Sequence, residues 1–568
     1  MQLITSSNEP TKPRTVLLVV LPYAVRDPSN STTEKQVRSF IGFPYGALTI
    51  ASYLKTYTTA DIHLFDLNLV PEKTVKEHFI TKIAELEPDI IGYSMSYDIS
   101  FPWLQELTKL VPKLTPKTIQ VAGGPAVTTA YKEVLEDSTV DAICYGEGER
   151  GLKNLVIAEN PSVELKNDPW FTLEHFKTGA QPKTLYEDLD LTVDVDYSLV
   201  NVDAYSMKEA FSPFTKFSED SRQFFLVTSR GCPFKCVFCA EPSFHGANMR
   251  YVDVDKVVNH VRHLVDNYGL NVLTIYDDQI LMNRDRAKSI FRGLADLNIR
   301  IELPNGVTLS YIDAEMAALM KSAGVDTIFL AIESGVPRVL REIIKKPLAY
   351  NRVKSVIQEL HKNDIFVGSF FVLGLPDETP EERFSNLDFI KESEIDWAFF
   401  NFATPLRGSE LFKKCLENEW IDKKYEKLGA MDMSEYVITN APGMNPKRIK
   451  RDLLMMNLEA NFVSNRRMNI GDYKTAKLAF EEVISRHPNQ PFAHYYLAQA
   501  EMKMGAPDSI INAHLERFNN ICEHDQLWSD LAKYYDLITG PPSSDFFGYE
   551  AKCNTSVDTS SHLKEMAF

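Results

Sequence analysis

Two blocks of this chain alternate short apolar runs with segments of helical spacing, and no other feature narrows its possible folds as much. In residues 1–155 the apolar runs are 16–21, 61–67, 89–93, 118–122 and 142–145, with helical patterns over 47–57, 74–86, 103–111 and 129–136 between them. Strand–helix alternation with strands apolar throughout specifies a doubly wound α/β domain, a parallel sheet covered on both faces. Ligands of such sheets bind in the loops beyond the strand carboxyl ends. Here those loops are 22–46, 94–101, 123–128 and 146–151, three of them rich in Gly, Ser or Thr, which lets a ligand approach the backbone.

The rhythm lapses over 156–220, where runs such as 187–196 carry many acids, and this stretch reads as a connector. It resumes over 221–430 with strands at 224–228, 272–276, 299–304, 327–331, 366–373 and 397–402 and helices at 254–268, 284–297, 314–322, 350–362 and 381–392. About six such units predict an open or partial β/α barrel with its chemistry at the strand carboxyl ends. Strand patterns vanish over 431–540. Gly471, Tyr473, Ala476, Phe480, Val483 and Pro488 resemble the second helix of a tetratricopeptide (TPR) repeat, and His494, Leu497 and Ala498 the start of another. One and a half repeats cannot bury their faces alone. The segment therefore reads as an α-helical, TPR-like domain packing on the barrel, with docking of a protein partner or peptide as the sharper alternative. Residues 541–568, poor in large aliphatics, read as a loose tail.

Composition adds exclusions. Of 568 residues, 44% are hydrophobic and 24% charged, which is ordinary for globular chains. The net charge of −17 argues against general nucleic-acid binding. The apolar stretches 16–25 and 365–376 are interrupted by Pro22 and by Gly368 and Gly374, and both are shorter than the ~18–20 residues of a membrane span. Lys12 and Arg14 precede the first stretch, yet no small-residue cleavage site follows. A first strand and a cytoplasmic location are the expectation.

Seven cysteines are present. Cys144, Cys415, Cys522 and Cys553 are isolated, whereas Cys232, Cys236 and Cys239 crowd into one loop directly after the strand at 224–228. An odd count with one tight cluster argues for a metal or redox centre rather than a disulfide framework. Three thiolates suit iron–sulfur or zinc. A Cys3His zinc site would need His245 as its fourth ligand, but zinc favours two separate C-x2-4-C knuckles. A single C-x3-C-x2-C loop suits a [4Fe–4S] cluster that keeps one iron open.

That motif, Arg230-Gly-Cys232-Pro-Phe-Lys-Cys236-Val-Phe238-Cys239 opening a β/α barrel, resembles the radical S-adenosylmethionine (SAM) superfamily. The resemblance implies SAM chelated at the open iron and cleaved reductively to a 5′-deoxyadenosyl radical, with Phe238 beside it. Further landmarks follow in order over 224–424. Asp277 and Asp278 in Tyr276-Asp-Asp-Gln279 end the second barrel strand, where the family holds the SAM amino group. Glu333 ends the fourth, where relatives contact the ribose or other polar groups. Gly374 in Phe371-Val-Leu-Gly-Leu-Pro-Asp-Glu378 belongs to the strand that lines the adenine. Thr404-Pro405-Leu-Arg-Gly408-Ser409 resembles the turn after the sixth strand.

The first block is similar to the cobalamin-binding domain of class B radical SAM enzymes. The resemblance rests on Pro44 and Gly46, Asp66, Ser94 and Ser96, Gly123 and Gly124, and Gly146-Glu147-Gly148-Glu149, and it implies that Pro44, Gly46, Asp66, Ser94, Ser96, Gly123, Gly124, Gly146, Glu147 and Glu149 line a cobalamin site. One departure stands out. The first loop reads Leu21-Pro-Tyr-Ala-Val-Arg-Asp27, without the histidine of D-x-H-x-x-G, and Asp61-Ile-His63 lies on the second strand with Asp66 where glycine is required. Cobalamin without histidine ligation is expected, which alters the cobalt through its axial ligand.

The resemblance implies a cobalamin-dependent radical SAM methyltransferase acting on an unactivated carbon of a small molecule or peptide, with an electron donor such as flavodoxin or ferredoxin. Two alternatives share parts of the pattern: an oxidative cyclase or rearrangement enzyme of the same architecture, and a non-catalytic, zinc-stabilised TPR adaptor. No side chain is identified as a catalytic acid or base.

Overall fold

The computed structural model describes residues 13–23, 42–205, 220–431 and 435–543. Most of the first loop, including 24–27 of the stretch lacking histidine, the end of the connector, and the tail from 544 with Cys553 lie outside the described residues. The chain divides into two compact units: Met1–Glu209, Ser218–Ile301 and Pro405–Met431 form one, and Ala210–Phe217, Glu302–Thr404 and Asp432–Phe568 the other.

The first unit opens with strands β1 (Thr15–Val20), β2 (Asp61–Asp66), β3 (Ile90–Ser94), β4 (Ile119–Gly123), β5 (Ala142–Cys144) and β6 (Trp170–Phe171) in one sheet of order β2-β1-β3-β4-β5-β6. The first five pair in parallel. Only β6, inside the stretch read as connector, runs antiparallel at the edge. Side chains alternate across the sheet with a period of two. Val16 and Leu18 therefore enter one core with Ala51, Leu54 and Leu155 from helices Tyr45–Tyr57 and Glu149–Ile157. Leu17 and Val19 enter the opposite core with Phe79, Ile83 and Leu104 from helices Val75–Leu86 and Phe101–Thr108. Burial on both faces is why these strands are apolar throughout. Strand order reverses between β1 and β3, and one register row crosses the carboxyl edge there: Asp66, Val20, Ser94 and Gly123.

The same unit carries β7 (Gln223–Leu226), β8 (Ser229–Arg230), β9 (Arg250–Tyr251), β10 (Val272–Ile275) and all but the last residue of β11 (Arg300–Glu302). β11, β10 and β7 form a three-stranded sheet, in which β10 and β7 are parallel. β8 and β9 pair antiparallel, Ser229 opposite Tyr251 and Arg230 opposite Arg250. This ladder closes the base of the loop that holds the three cysteines.

In the second unit β12 (Thr327–Glu333), β13 (Phe366–Leu373) and β14 (Trp397–Phe402) form a parallel sheet in that order. Helices follow from Pro446 to Tyr534. They are tied to β14 by Asn461, whose side chain accepts from Ala398 N and donates to Ala398 O, both at 2.8 Å. Asp396 just before β14 is fully buried and accepts from Arg466 Nη1 at 2.8 Å and Arg467 Nη2 at 2.7 Å, with His361 Nε2 at 2.8 Å. Ala476, Phe480, Val483, His494, Leu497 and Ala498 are all buried on helices Tyr473–Arg486 and Pro491–Lys503. No helix among the described residues is long and apolar enough to cross a membrane.

Candidate active site

The cysteine loop is shaped by its backbone. Gly231 has φ +96, and a Cβ there would lie 2.4 Å from Asn248 O, so only glycine fits. Cys232 N donates to Gly246 O at 3.1 Å and Cys239 N to Cys236 O at 3.0 Å. Leu411 N donates to Val237 O at 2.7 Å, and Ser243 Oγ to Gly408 O at 3.0 Å, so the segment after β14 braces the loop from outside. Cys232 is buried, while Cys236 and Cys239 are half-buried, as is Phe238. Burial, opposed by a hydrogen bond from the backbone of Glu241, pushes the Cys239 thiol up to about 12, and Cys236 and Cys232 add to the shift. Three thiols that near one another are costly as free thiolates and call for a cationic partner.

Asp277 and Asp278 follow β10 and serve different sides. Asp277 is 3% exposed. Its carboxylate accepts from Thr228 N at 2.5 Å, Thr228 Oγ1 at 2.6 Å and Ser229 Oγ at 2.6 Å. It therefore fastens the end of β10 to the residues leading into the cysteine loop. Asp278 instead faces Glu241, two residues beyond Cys239. Burial first, then the Asp278 carboxylate, raise the Glu241 carboxyl. Glu241 Oε1 is buried without a hydrogen-bond partner among the described residues. Gln279 hydrogen-bonds Cys232, whose thiol is raised by burial and also feels Asp278 and Glu241. Three soft donors beside an under-satisfied acid pair fit an iron–sulfur cluster with a cationic ligand such as SAM. Glu241 does not stand out in the sequence, and Gln279 appears there only as the end of the Tyr276–Gln279 motif, because their pairings are made only by tertiary folding. His245, the fourth ligand a zinc site would need, has Nδ1 3.1 Å from Glu147 Oε1.

The candidate cobalamin residues line the carboxyl edge of the first sheet. Asp66, Ser94 and Gly123 share the register row above. Asp66 Oδ1 accepts from Asn68 N at 2.9 Å and from Asn68 Nδ2 at 2.8 Å, shaping the turn after β2. Ser96 is exposed, Pro44 half-buried, and Gly46 opens helix Tyr45–Tyr57 with free space where a Cβ would stand. Gly124 (φ +111) and Gly146 (φ +81) have left-handed backbones; a Cβ would lie 2.6 Å from Met95 O in one and 2.5 Å from Thr184 in the other. A strand-order reversal with free space at Gly46 fits a large planar cofactor. His63 sits on β2 against Asp61 at 2.9 Å, as a strand residue.

Glu147 and Glu149 differ from that row. Both are buried. Arg230 Nη1 lies 3.2 Å from Glu147 Oε2 and Arg230 Nη2 donates to Glu149 Oε1 at 2.6 Å. Arg250 donates to both Glu147 oxygens, through Nη1 at 3.0 Å and through Nη2. Burial opposes ionisation of Glu147, yet His245, Arg230 and Arg250 together hold its carboxyl down to about 2.

Glu333 and Gly374 belong to the second unit. Glu333 ends β12 with φ +68 and accepts from Lys346 Nζ at 2.9 Å, both side chains buried. Gly374 (φ +78) donates its N–H to Glu378 Oε2 at 2.8 Å and accepts from Tyr436 Oη at 2.7 Å.

Comparison with known proteins agrees with this geometry. The family model for the Radical SAM superfamily matches residues 226–390, and that for the B12 binding domain matches 36–156. Cytidylyl-2-hydroxyethylphosphonate methyltransferase of Streptomyces wedmorensis is 30% identical over 65% of this chain and 74% of its own. Anaerobic magnesium-protoporphyrin IX monomethyl ester cyclase of Cereibacter sphaeroides is 26% identical over 75% of this chain and 66% of its own. The solved structure of the cobalamin-dependent SAM radical enzyme OxsB shares the fold with a TM-score of 0.61 at 13% identity, over 97% of this chain and 84% of that one. The chain belongs to the cobalamin-binding, class B family of radical SAM enzymes.

Proposed function

We propose that this protein is a cobalamin-dependent radical SAM methyltransferase acting on an unactivated carbon of a small molecule or peptide. The observation that carries the reading is the meeting, inside one compact unit, of a three-cysteine loop with the carboxyl-edge loops of a cobalamin-type sheet. The cofactors are a [4Fe–4S] cluster, SAM and cobalamin. When bound, they supply hydrogen abstraction from carbon and a transferable methyl group. Cys232, Cys236 and Cys239 would hold the cluster, with Phe238 flanking it. Asp278 would receive the SAM amino group and Asp277 would fix the loop base; Glu333 and Gly374, in the second unit, are assigned to SAM by the resemblance alone. Pro44, Gly46, Asp66, Ser94, Ser96, Gly123, Gly124 and Gly146 would receive cobalamin. The chain's own contribution is positioning and exclusion of water.

The functional segments are then 1–155 for the vitamin, 156–220 as connector, 221–430 for radical chemistry, 431–540 as a TPR-like helical region and 541–568 as a tail. Burial of the repeat-like residues supports that helical reading. Its exposed side would dock a protein partner, a flavodoxin- or ferredoxin-type donor would supply electrons, and the cytoplasm is the compartment. A second reading, an oxidative cyclase, is favoured by the 26% identity to the cereibacterial cyclase. Anaerobic reconstitution with iron, sulfide and hydroxocobalamin, followed by SAM and candidate substrates, separates the two. S-adenosylhomocysteine with a product heavier by one methyl supports transfer. 5′-Deoxyadenosine without S-adenosylhomocysteine supports cyclisation, and absence of SAM turnover removes both.

A further inference from the structure

Arg230 and Arg250 stand directly opposite each other in the β8–β9 ladder that closes the cysteine loop. Like charges directly across an antiparallel pair repel. The ladder is only two residues long on each side; Val252 N donating to Thr228 O at 2.9 Å and Cys232 N to Gly246 O at 3.1 Å flank it, but neither neutralises the two arginines. Between the two guanidiniums lies the Glu147 carboxylate, at 3.2 Å from Arg230 and in a two-point bond with Arg250, while Glu149 takes the second Arg230 nitrogen at 2.6 Å. His245, from within the loop, joins Glu147 at 3.1 Å. Tyr186 covers the far side of Arg250, its ring centre 4.2 Å from the guanidinium carbon. Glu147 is 5% and Glu149 3% exposed. Both Glu147 oxygens are engaged, Oε1 by His245 and Arg250 and Oε2 by Arg250 and Arg230, which leaves that carboxylate no free edge for another ligand.

We infer that Glu147, seconded by Glu149, is a positioning residue that clasps the base of the cysteine loop from the cobalamin-type domain, and is not a contact to the vitamin. The clasp makes the two cofactor-bearing segments one rigid body around the loop after β5. Removing the Glu147 charge leaves two opposed arginines across a two-residue ladder, and the loop opens locally. This inference rests on the functional reading above only for its purpose; the contact itself needs no cofactor.

The test is a double-mutant cycle of Glu147→Gln and Arg250→Gln in the full chain. Amide hydrogen exchange is followed without iron, and hydroxocobalamin affinity is followed by absorbance titration. Each single variant should speed exchange over 229–251 by about ten-fold or more while the strands of the first sheet keep their protection. The double variant should exchange no faster than the more affected single, since both remove one interaction. Hydroxocobalamin affinity of Glu147→Gln should stay within about three-fold of wild type, because a group that does not touch a ligand contributes little to holding it. Unchanged exchange, additive effects, or a larger fall in affinity overturns the clasp. If Glu147→Gln does not accumulate folded, Arg250→Gln alone decides, since its partly exposed side chain tolerates the change. The exchange arm can fail while the cluster assignment stands, and it stays readable if no cluster assembles.

Discussion

The tasks of the acids around the cysteine loop are set by the direction in which the backbone turns each of them. Asp277 and Asp278 are adjacent in the turn after β10 yet take different partners: one ties Thr228 and Ser229, the other meets Glu241. The sequence pattern picks out the pair but not this division of labour, because the partners come from other strands. The cysteines were legible outright, since their spacing is local. Cys236→Ala should therefore abolish SAM cleavage in the reconstituted protein while leaving cobalamin bound; retained cleavage, measured as 5′-deoxyadenosine, would contradict the cluster assignment. His260 gives a pH signature. It is 4% exposed on helix Val254–Tyr268, its Nε2 has no hydrogen-bond partner among the described residues, and burial lowers its pKa from 6.5 to about 4 against a smaller pull from Asp194. The unfolded chain takes up this proton near pH 6.5 and the folded chain only near 4, so stability falls as pH drops through that window, by on the order of 3 kcal/mol. Denaturant unfolding between pH 7 and 4.5 should show a smaller loss for His260→Leu than for wild type; equal losses would refute the assignment.

Strands and their loops carried most of what the sequence could reveal. The β-branched runs became β1, β3 and β4 within about a residue of their expected bounds, and 366–373 and 397–402 coincide with β13 and β14. Parallel strands buried on both faces leave a dense apolar run that needs no partner to be read. Short elements escaped for the converse reason. β6, two residues inside the stretch read as connector, and the β8–β9 ladder beside the cysteine loop are specified by what they pair with rather than by any local pattern. The register row Asp66–Val20–Ser94–Gly123 was equally invisible, although three of its members were singled out by resemblance. Gly124 ends that edge with φ +111 against Met95 O. Gly124→Ala should cost about 1–3 kcal/mol in backbone strain and displacement of Met95 and reduce hydroxocobalamin uptake. A variant that unfolds and loads like wild type would show the turn to be dispensable.

At the scale of the molecule, the first unit unites residues that are far apart in the chain. Arg407 reaches Glu133 at 2.7 Å and Asp98 at 3.6 Å, Tyr45 Oη accepts from Val227 N at 3.2 Å, and Arg230 grips Glu147 and Glu149. These bonds join the cobalamin-type sheet to the segments that carry and brace the cysteine loop. Block boundaries in the sequence mark where patterns change, not where contacts are dense, so this union was not readable from it. The repeat-like helices behave similarly: their small and aromatic residues announce helix packing, whereas Asn461 clamping both polar groups of Ala398 does not follow from any periodicity. The central claim is that three thiolates hold a cluster with one iron open to SAM. Electron paramagnetic resonance of the anaerobically reconstituted, dithionite-reduced protein tests it most directly. The account predicts a reduced [4Fe–4S] signal, with roughly four irons per chain, whose line shape changes when SAM is added. A signal indifferent to SAM, or a colourless protein carrying zinc on the same cysteines, would contradict it.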